Sequence, residues 1–221
     1  MSSGTWERLP DAKRAAVEAA AEAEFAARGF SHGSLNVIAR EAGVSKGSLF
    51  QYFDDKLDLY AHIATLASER IRAEMERRLA GLDAAGRPLF DVMADLVREW
   101  IDYFDAHPVE RAITAAVNLE GDAAARVTVR EIAHREYLAV LRPLLESARE
   151  RGDLRADADV EMFLSMLLVM LPHLALAPHV RGLDPLLGLY GATGAQAAGV
   201  AERLVAVFAS AFGPPRPRRV P

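Results

Sequence analysis

The chain has 221 residues, 51 % of them apolar, enough for a packed core in one or two domains. It contains no cysteine, which excludes disulfides, thiolate metal sites and cysteine nucleophiles. A formal net charge of −5 argues against a general nucleic-acid coat and leaves room only for a local positive face.

The opening MSSGTWERLP lacks the basic start and apolar run of a secretory signal, so a cytoplasmic location is expected. No stretch alternates Val, Ile and Thr with period two, so the chain reads as all-α. Asp11 is the expected N-cap of a first helix over 11–28, where Val17, Ala21 and Phe25 repeat on one face and Gly29 follows as C′. Two short helices are predicted at 34–41 and 45–52. A longer one runs from about 55 to 79 and carries Leu59, Ile63, Leu66 and Ile71. Further helices are expected over 88–106, 108–119, 122–151 (with Pro143 as a kink), from a cap at Asp157 or Asp159 to 176, and over 195–212. Asp184-Pro185 suggests a short helix within 181–194. The uncharged stretch 162–180 approaches the length of a membrane helix, but Ser165, Pro172, His173, Pro178 and His179 favour a core helix, and no membrane partner is expected.

The informative segment is GFSHGSLNVIAREAGVSKGSLFQYFDDK, residues 29–56. Ser34 and Ser45 can each cap a helix, Gly43 ends the first of the two, and Val44 plugs the turn. Leu49 and Phe53 anchor the second helix inward, with Phe50 taken as core beside them, so Lys46, Gly47, Ser48, Gln51 and Tyr52 point outward. Two short helices joined by a glycine turn match a helix-turn-helix over 34–53, whose second helix enters the major groove at its N-terminal end. Lys46 suits phosphate or guanine, Gln51 suits adenine, Ser48 suits either donor or acceptor, and Gly47 permits close backbone approach.

Phe25, Gly29-Phe30, Ile38-Ala39, the run 42–49, Phe53 and Lys56 make the segment resemble the DNA-binding domain of the tetracycline-repressor (TetR) family of bacterial regulators. The resemblance covers residues 11–71. It implies a three-helix DNA-binding domain there and a helical ligand-binding and dimerisation domain over 72–213, while the proline-rich, basic composition of 214–221 predicts a disordered tail. It also implies a homodimer on a palindromic double-stranded DNA operator, mostly repressing, and released by a small-molecule effector. By position, Ser34, Lys46, Tyr52 and Lys56 would meet phosphates, and Ser45, Gly47, Ser48 and Gln51 would lie on or near base edges.

Three departures stand out. Phe50 replaces a tyrosine whose hydroxyl binds phosphate. Val37 removes the carboxylate of a capping box. Glu22 and Glu24 stand where the family commonly has leucine. Residues 1–60 hold seven Lys and Arg against nine Asp and Glu, a net of −2. Few phosphate contacts are therefore expected, with a salt slope far shallower than about −10 at about −0.9 per neutralised phosphate.

In the remainder, Met162, Met166 and Met170 form an i, i+4, i+8 stripe followed by His173, read either as core or as the wall of a pocket for apolar molecules. Trp100, Tyr103, Phe104, His134 and Tyr137 join Met166, Met170 and His173 as candidate pocket residues for a largely apolar effector. His107 lies beside the same cluster in sequence. Val200, Leu204, Val207, Phe208 and Ala211 form a stripe that a core-facing helix would explain and that the resemblance assigns to the dimer interface. Glu131-x-x-His134 resembles half of a di-iron site with no second pair, so no metal, cofactor or catalytic residue is assigned. The alternative is a helical small-molecule-binding protein or enzyme with a degenerate DNA-binding motif.

Overall fold

The computed structural model describes residues 4–82, 86–192 and 194–215, and every regular element among them is an α-helix. Residues 216–221 of the expected tail lie outside the described residues. The helices are α1 (Gly4–Glu7), α2 (Asp11–His32), α3 (Leu35–Glu41), α4 (Lys46–Tyr52), α5 (Lys56–Gly81), α6 (Leu89–Ala106), α7 (Pro108–Leu119), α8 (Ala123–Arg151), α9 (Val160–Leu176) and α10 (Gly194–Phe212).

Local chemistry sets most of the boundaries. Gly29 takes φ 65° and breaks helical geometry inside α2, as expected of a C′ glycine, and the chain then makes one more turn to His32. Asp11 is not the N-cap of α2. Pro10 holds that place, and Asp11 pairs with Arg14 one turn on. The carboxylates of Asp122 and Asp159 accept from the Ala125 and Met162 N–H groups and cap α8 and α9. α8 runs helical through Pro143. The region after Asp184 forms bends rather than the expected helix. Its carboxylate accepts the N–H groups of Leu186, Leu187 and Leu189, which satisfies by side chain what a helix would satisfy by backbone.

The chain divides into two compact units. The first is 1–71 together with 107–136; the second is 72–106 together with 137–221. The N-terminal segment of the first unit ends at residue 71. Yet α7 and the first half of α8, placed by sequence with the C-terminal domain, pack with the helix-turn-helix. The reason is the α2–α7 packing, in which Ile113 and Val117 join the core of Val17, Phe25, Ile38 and Tyr60.

In the second unit α6 packs on α9 and α10. Phe163, Phe208 and Phe212 stack with centroids 4.8 Å and 4.4 Å from the Phe163 ring. Such ring pairs add about 0.5–1.5 kcal/mol each beyond the area they bury. By length and composition alone α10 could cross a membrane, yet Ala197, Val200, Ala201, Val205, Phe208 and Phe212 are buried within the unit.

Candidate nucleic-acid interface

The two short helices are held by side-chain caps at both starts. Ser34 Oγ accepts the Val37 N–H at 3.5 Å, and Ser45 Oγ accepts the Ser48 N–H at 3.0 Å. Between them Gly43 takes φ 66°, a conformation that costs a side-chain-bearing residue about 1 kcal/mol or more. The missing capping box at Val37 is replaced from another helix. Glu24 of α2, only 8 % exposed, accepts the Ser34 N–H at 2.9 Å, the bond that a glutamate at the third helical position would otherwise make. Two apparent departures from the family pattern are thus one arrangement. Glu22 also has a partner: Arg70 of α5 donates to it at 2.6 Å and to Glu110 of α7 at 2.9 Å.

A second buried carboxylate fixes the corner just before α3. Glu120, at the end of α7, accepts the N–H groups of Phe30 and Ser31, at 2.9 and 3.2 Å, the Ser31 hydroxyl, and the Asp122 N–H at 2.9 Å. Burial pushes its carboxyl up, but these donors outweigh burial and hold it at about 2. A Cβ at Gly29 would lie 3.2 Å from Glu120 Oε2, so the glycine also makes room for the clasp. Beside it the Tyr60 ring packs on Phe25 and Phe30, and burial, then the Glu120 charge, pushes its phenol well above the usual range.

The sequence-predicted site residues separate on this frame. Ser45, Lys46, Gly47 and Gln51 are exposed, and Ser48 is half-exposed with its hydroxyl 2.8 Å from that of Ser45. Ser34 is half-buried and serves as a cap. Tyr52 does not point outward. Its ring is 8 % exposed and lies 5.7 Å from Trp6 of α1, which also packs on Phe53 at 4.9 Å. Phe50 is the reverse case: expected in the core, it is 49 % exposed. Lys56 is half-buried, with Nζ 4.4 Å from the Phe30 ring centroid and 3.4–3.5 Å from the Gly33 and Ser31 carbonyls. It ties α5 to the corner before α3.

In the second unit Trp100, Tyr103, Phe104 and Tyr137 come together, with ring centroids 4.9–5.3 Å apart. Trp100 Nε1 donates to the Leu171 carbonyl of α9 at 2.8 Å. His134 belongs to the first unit, where burial, then Arg130, lowers its imidazole. The methionine stripe is not core: Met162 is 54 % exposed, Met166 and Met170 are half-buried, and Phe163, Leu164, Leu167 and Leu171 form the inward face. His173 is half-buried. The α10 stripe also divides, with Val200 and Phe208 buried, Leu204 half-buried, and Val207 and Ala211 exposed.

Two short, side-chain-capped helices joined at Gly43, with Lys46, Gly47 and Gln51 exposed on the second, have the form of a DNA-binding helix-turn-helix. The sequence profile of the bacterial regulatory proteins, tetR family, matches residues 19–63. The chain is 27 % identical over 165 residues to the HTH-type transcriptional repressor BepR of Brucella suis biovar 1 (strain 1330), covering 71 % of this chain and 76 % of that protein. Its fold is similar to that of a Mesorhizobium loti MAFF303099 protein described as a TetR-family transcriptional regulator, with TM-score 0.71 at 18 % identity, covering 93 % of this chain and 100 % of the other. It is also similar to the transcriptional regulator FadR of Bacillus subtilis, solved in complex with stearoyl-CoA, with TM-score 0.67 at 15 % identity, covering 89 % and 98 %. Residues 19–63 thus match the DNA-binding segment of the TetR family, and the chain is similar in fold to TetR-family regulators over most of its length.

Proposed function

We propose that the protein is a ligand-responsive repressor that binds a palindromic operator in the cytoplasm as a homodimer. The exposed face at the start of α4 carries this reading. Lys46, Gly47, Ser48 and Gln51 are the residue types that meet phosphates and base edges, and Ser34 and Ser45 add hydroxyls at two helix starts. Gly47 supports it in a further way. A Cβ there would meet nothing closer than Ser45 Oγ at 3.7 Å, so the protein itself has no need of glycine at this point. Close approach of DNA backbone or bases supplies the need.

Exposed apolar residues on the last two helices, Met162, Val169 and Val207, support self-association. The aromatic group around Trp100 supports an apolar effector site, and FadR, whose structure holds stearoyl-CoA, supports a long acyl group among the candidates. The effector would bind one arrangement of the protein better and shift it away from the operator-binding one.

Gel-shift titration on duplexes selected from a randomised pool tests the reading. Inverted repeats should emerge, with a log K against log salt slope shallower than about −10. Val207→Glu should leave the helical content unchanged while converting dimer to monomer in sedimentation and weakening operator binding. Absence of sequence-selective binding at low salt would instead support a helical binding protein or enzyme that has lost DNA affinity.

A further inference from the structure

Phe50 occupies a position on α4 that packing within the chain does not explain. The inward face of the helix is complete without it: Leu49, Tyr52 and Phe53 are each 8 % exposed or less, whereas Phe50 is 49 % exposed. It follows Lys46 by four residues and Gly47 by three, so the three share one exposed side of the helix. Half of an aromatic ring is therefore held in water beside a cation and a glycine on the outer face of the second helix of a helix-turn-helix.

The ring has no hydrogen-bonding group, so it cannot bond a phosphate oxygen or a polar base edge. In the major groove one base presents an apolar group of matching chemistry, the 5-methyl of thymine. We propose that Phe50 reads thymine. Its exposed ring packs on one thymine methyl in each half of the operator, while Lys46 and Gln51 supply the polar contacts around it. This rests on α4 being the reading helix. It adds an apolar determinant to a head that carries a net charge of −2 over residues 1–60.

Uracil keeps every hydrogen-bonding group of thymine and lacks only the methyl, which makes it the discriminating probe. A duplex selected by the protein from a randomised pool is remade with uracil at each thymine in turn. The expected result is one position per half-site at which uracil weakens binding about fourfold, the value of one buried methylene-sized group, and about fifteenfold when both halves are changed. In Phe50→Ala that penalty should vanish while penalties at other thymines persist, and Phe50→Leu should retain part of it. Since Phe50 is half-exposed, these variants should keep the wild-type melting temperature, which controls for folding. A wild-type protein indifferent to uracil throughout overturns the proposal, as does the same penalty persisting in Phe50→Ala or a selected site without thymine. Failure to select any sequence at all removes the assignment of α4, and the thymine contact with it.

Discussion

The two compact units bury different chemistry. Among the described residues the buried polar and charged side chains are Glu24, Ser68, Thr114, Glu120 and Glu136, and all five lie in the unit that carries the helix-turn-helix. The other unit is filled by apolar groups, such as Trp100 against Phe104 and Tyr137, and Phe163 against Phe208 and Phe212. Directional hydrogen bonds lose strength steeply with geometry, so they fix where a helix end sits. Apolar packing depends on filled volume and tolerates rearrangement better. A reading head needs the first property, and a site for varied apolar molecules benefits from the second.

The two tryptophans make this contrast measurable, since Trp6 lies in the first unit and Trp100 in the second. In single-tryptophan backgrounds (Trp100→Phe or Trp6→Phe) each reports its own surroundings. The largest effect is expected from Phe208→Ala, which removes a fully buried ring from the phenylalanine stack and should cost about 3–5 kcal/mol in the Trp100-reported transition. Glu120→Ala comes next. It strands the Phe30, Ser31 and Asp122 N–H groups and should cost roughly 2–4 kcal/mol in the Trp6-reported transition. Identical shifts at both reporters for both variants would erase the distinction between the units.

The Glu120 clasp also has a pH signature. Its carboxyl is held at about 2 in the folded chain against an ordinary 4.5. Its contribution is therefore fully present above about pH 4.5 and is lost as the pH falls towards 2. The wild-type Trp6 transition should weaken through that window more steeply than that of Glu120→Ala; parallel curves would count against the clasp. The smallest stability effect should come from Gly47→Ala. Nothing in the chain crowds the added methyl, so stability should hold or rise by up to about 1 kcal/mol while operator affinity falls. A loss of stability without loss of affinity would reverse the argument for close DNA approach.

Much of the reading head was legible because its signals are local. Ser34, Gly43, Ser45 and the Leu49–Phe53 spacing each act within one helical turn, and each recurs in the structure. Glu24 and Glu120 were not legible as partners. Their bonds reach 10 residues to Ser34 and 90 to Phe30, and no periodicity encodes such distances. Tyr52 and Phe50 exchanged roles for a related reason. α4 has seven residues, too few to settle which aromatic faces inward, and Trp6 arrives from a four-residue helix that leaves no periodic trace. The α9 methionines misled because that helix is apolar nearly all round, so stripes at several angles look alike and packing selects among them.

The Glu24–Ser34 bond bears on how reading heads of this kind could be exchanged between proteins. A graft confined to residues 34–53 would carry the two short helices but leave behind the acid that completes the first cap. In a recipient with leucine at that place the Ser34 amide would lose its acceptor. In the reverse exchange, a donor segment with its own glutamate three residues into the helix would compete with Glu24 for one donor, leaving a surplus buried carboxylate. The transplantable unit therefore includes α2 along with the two short helices, and a chimera that carries α2 should keep the Ser34 cap that one cut at residue 34 loses.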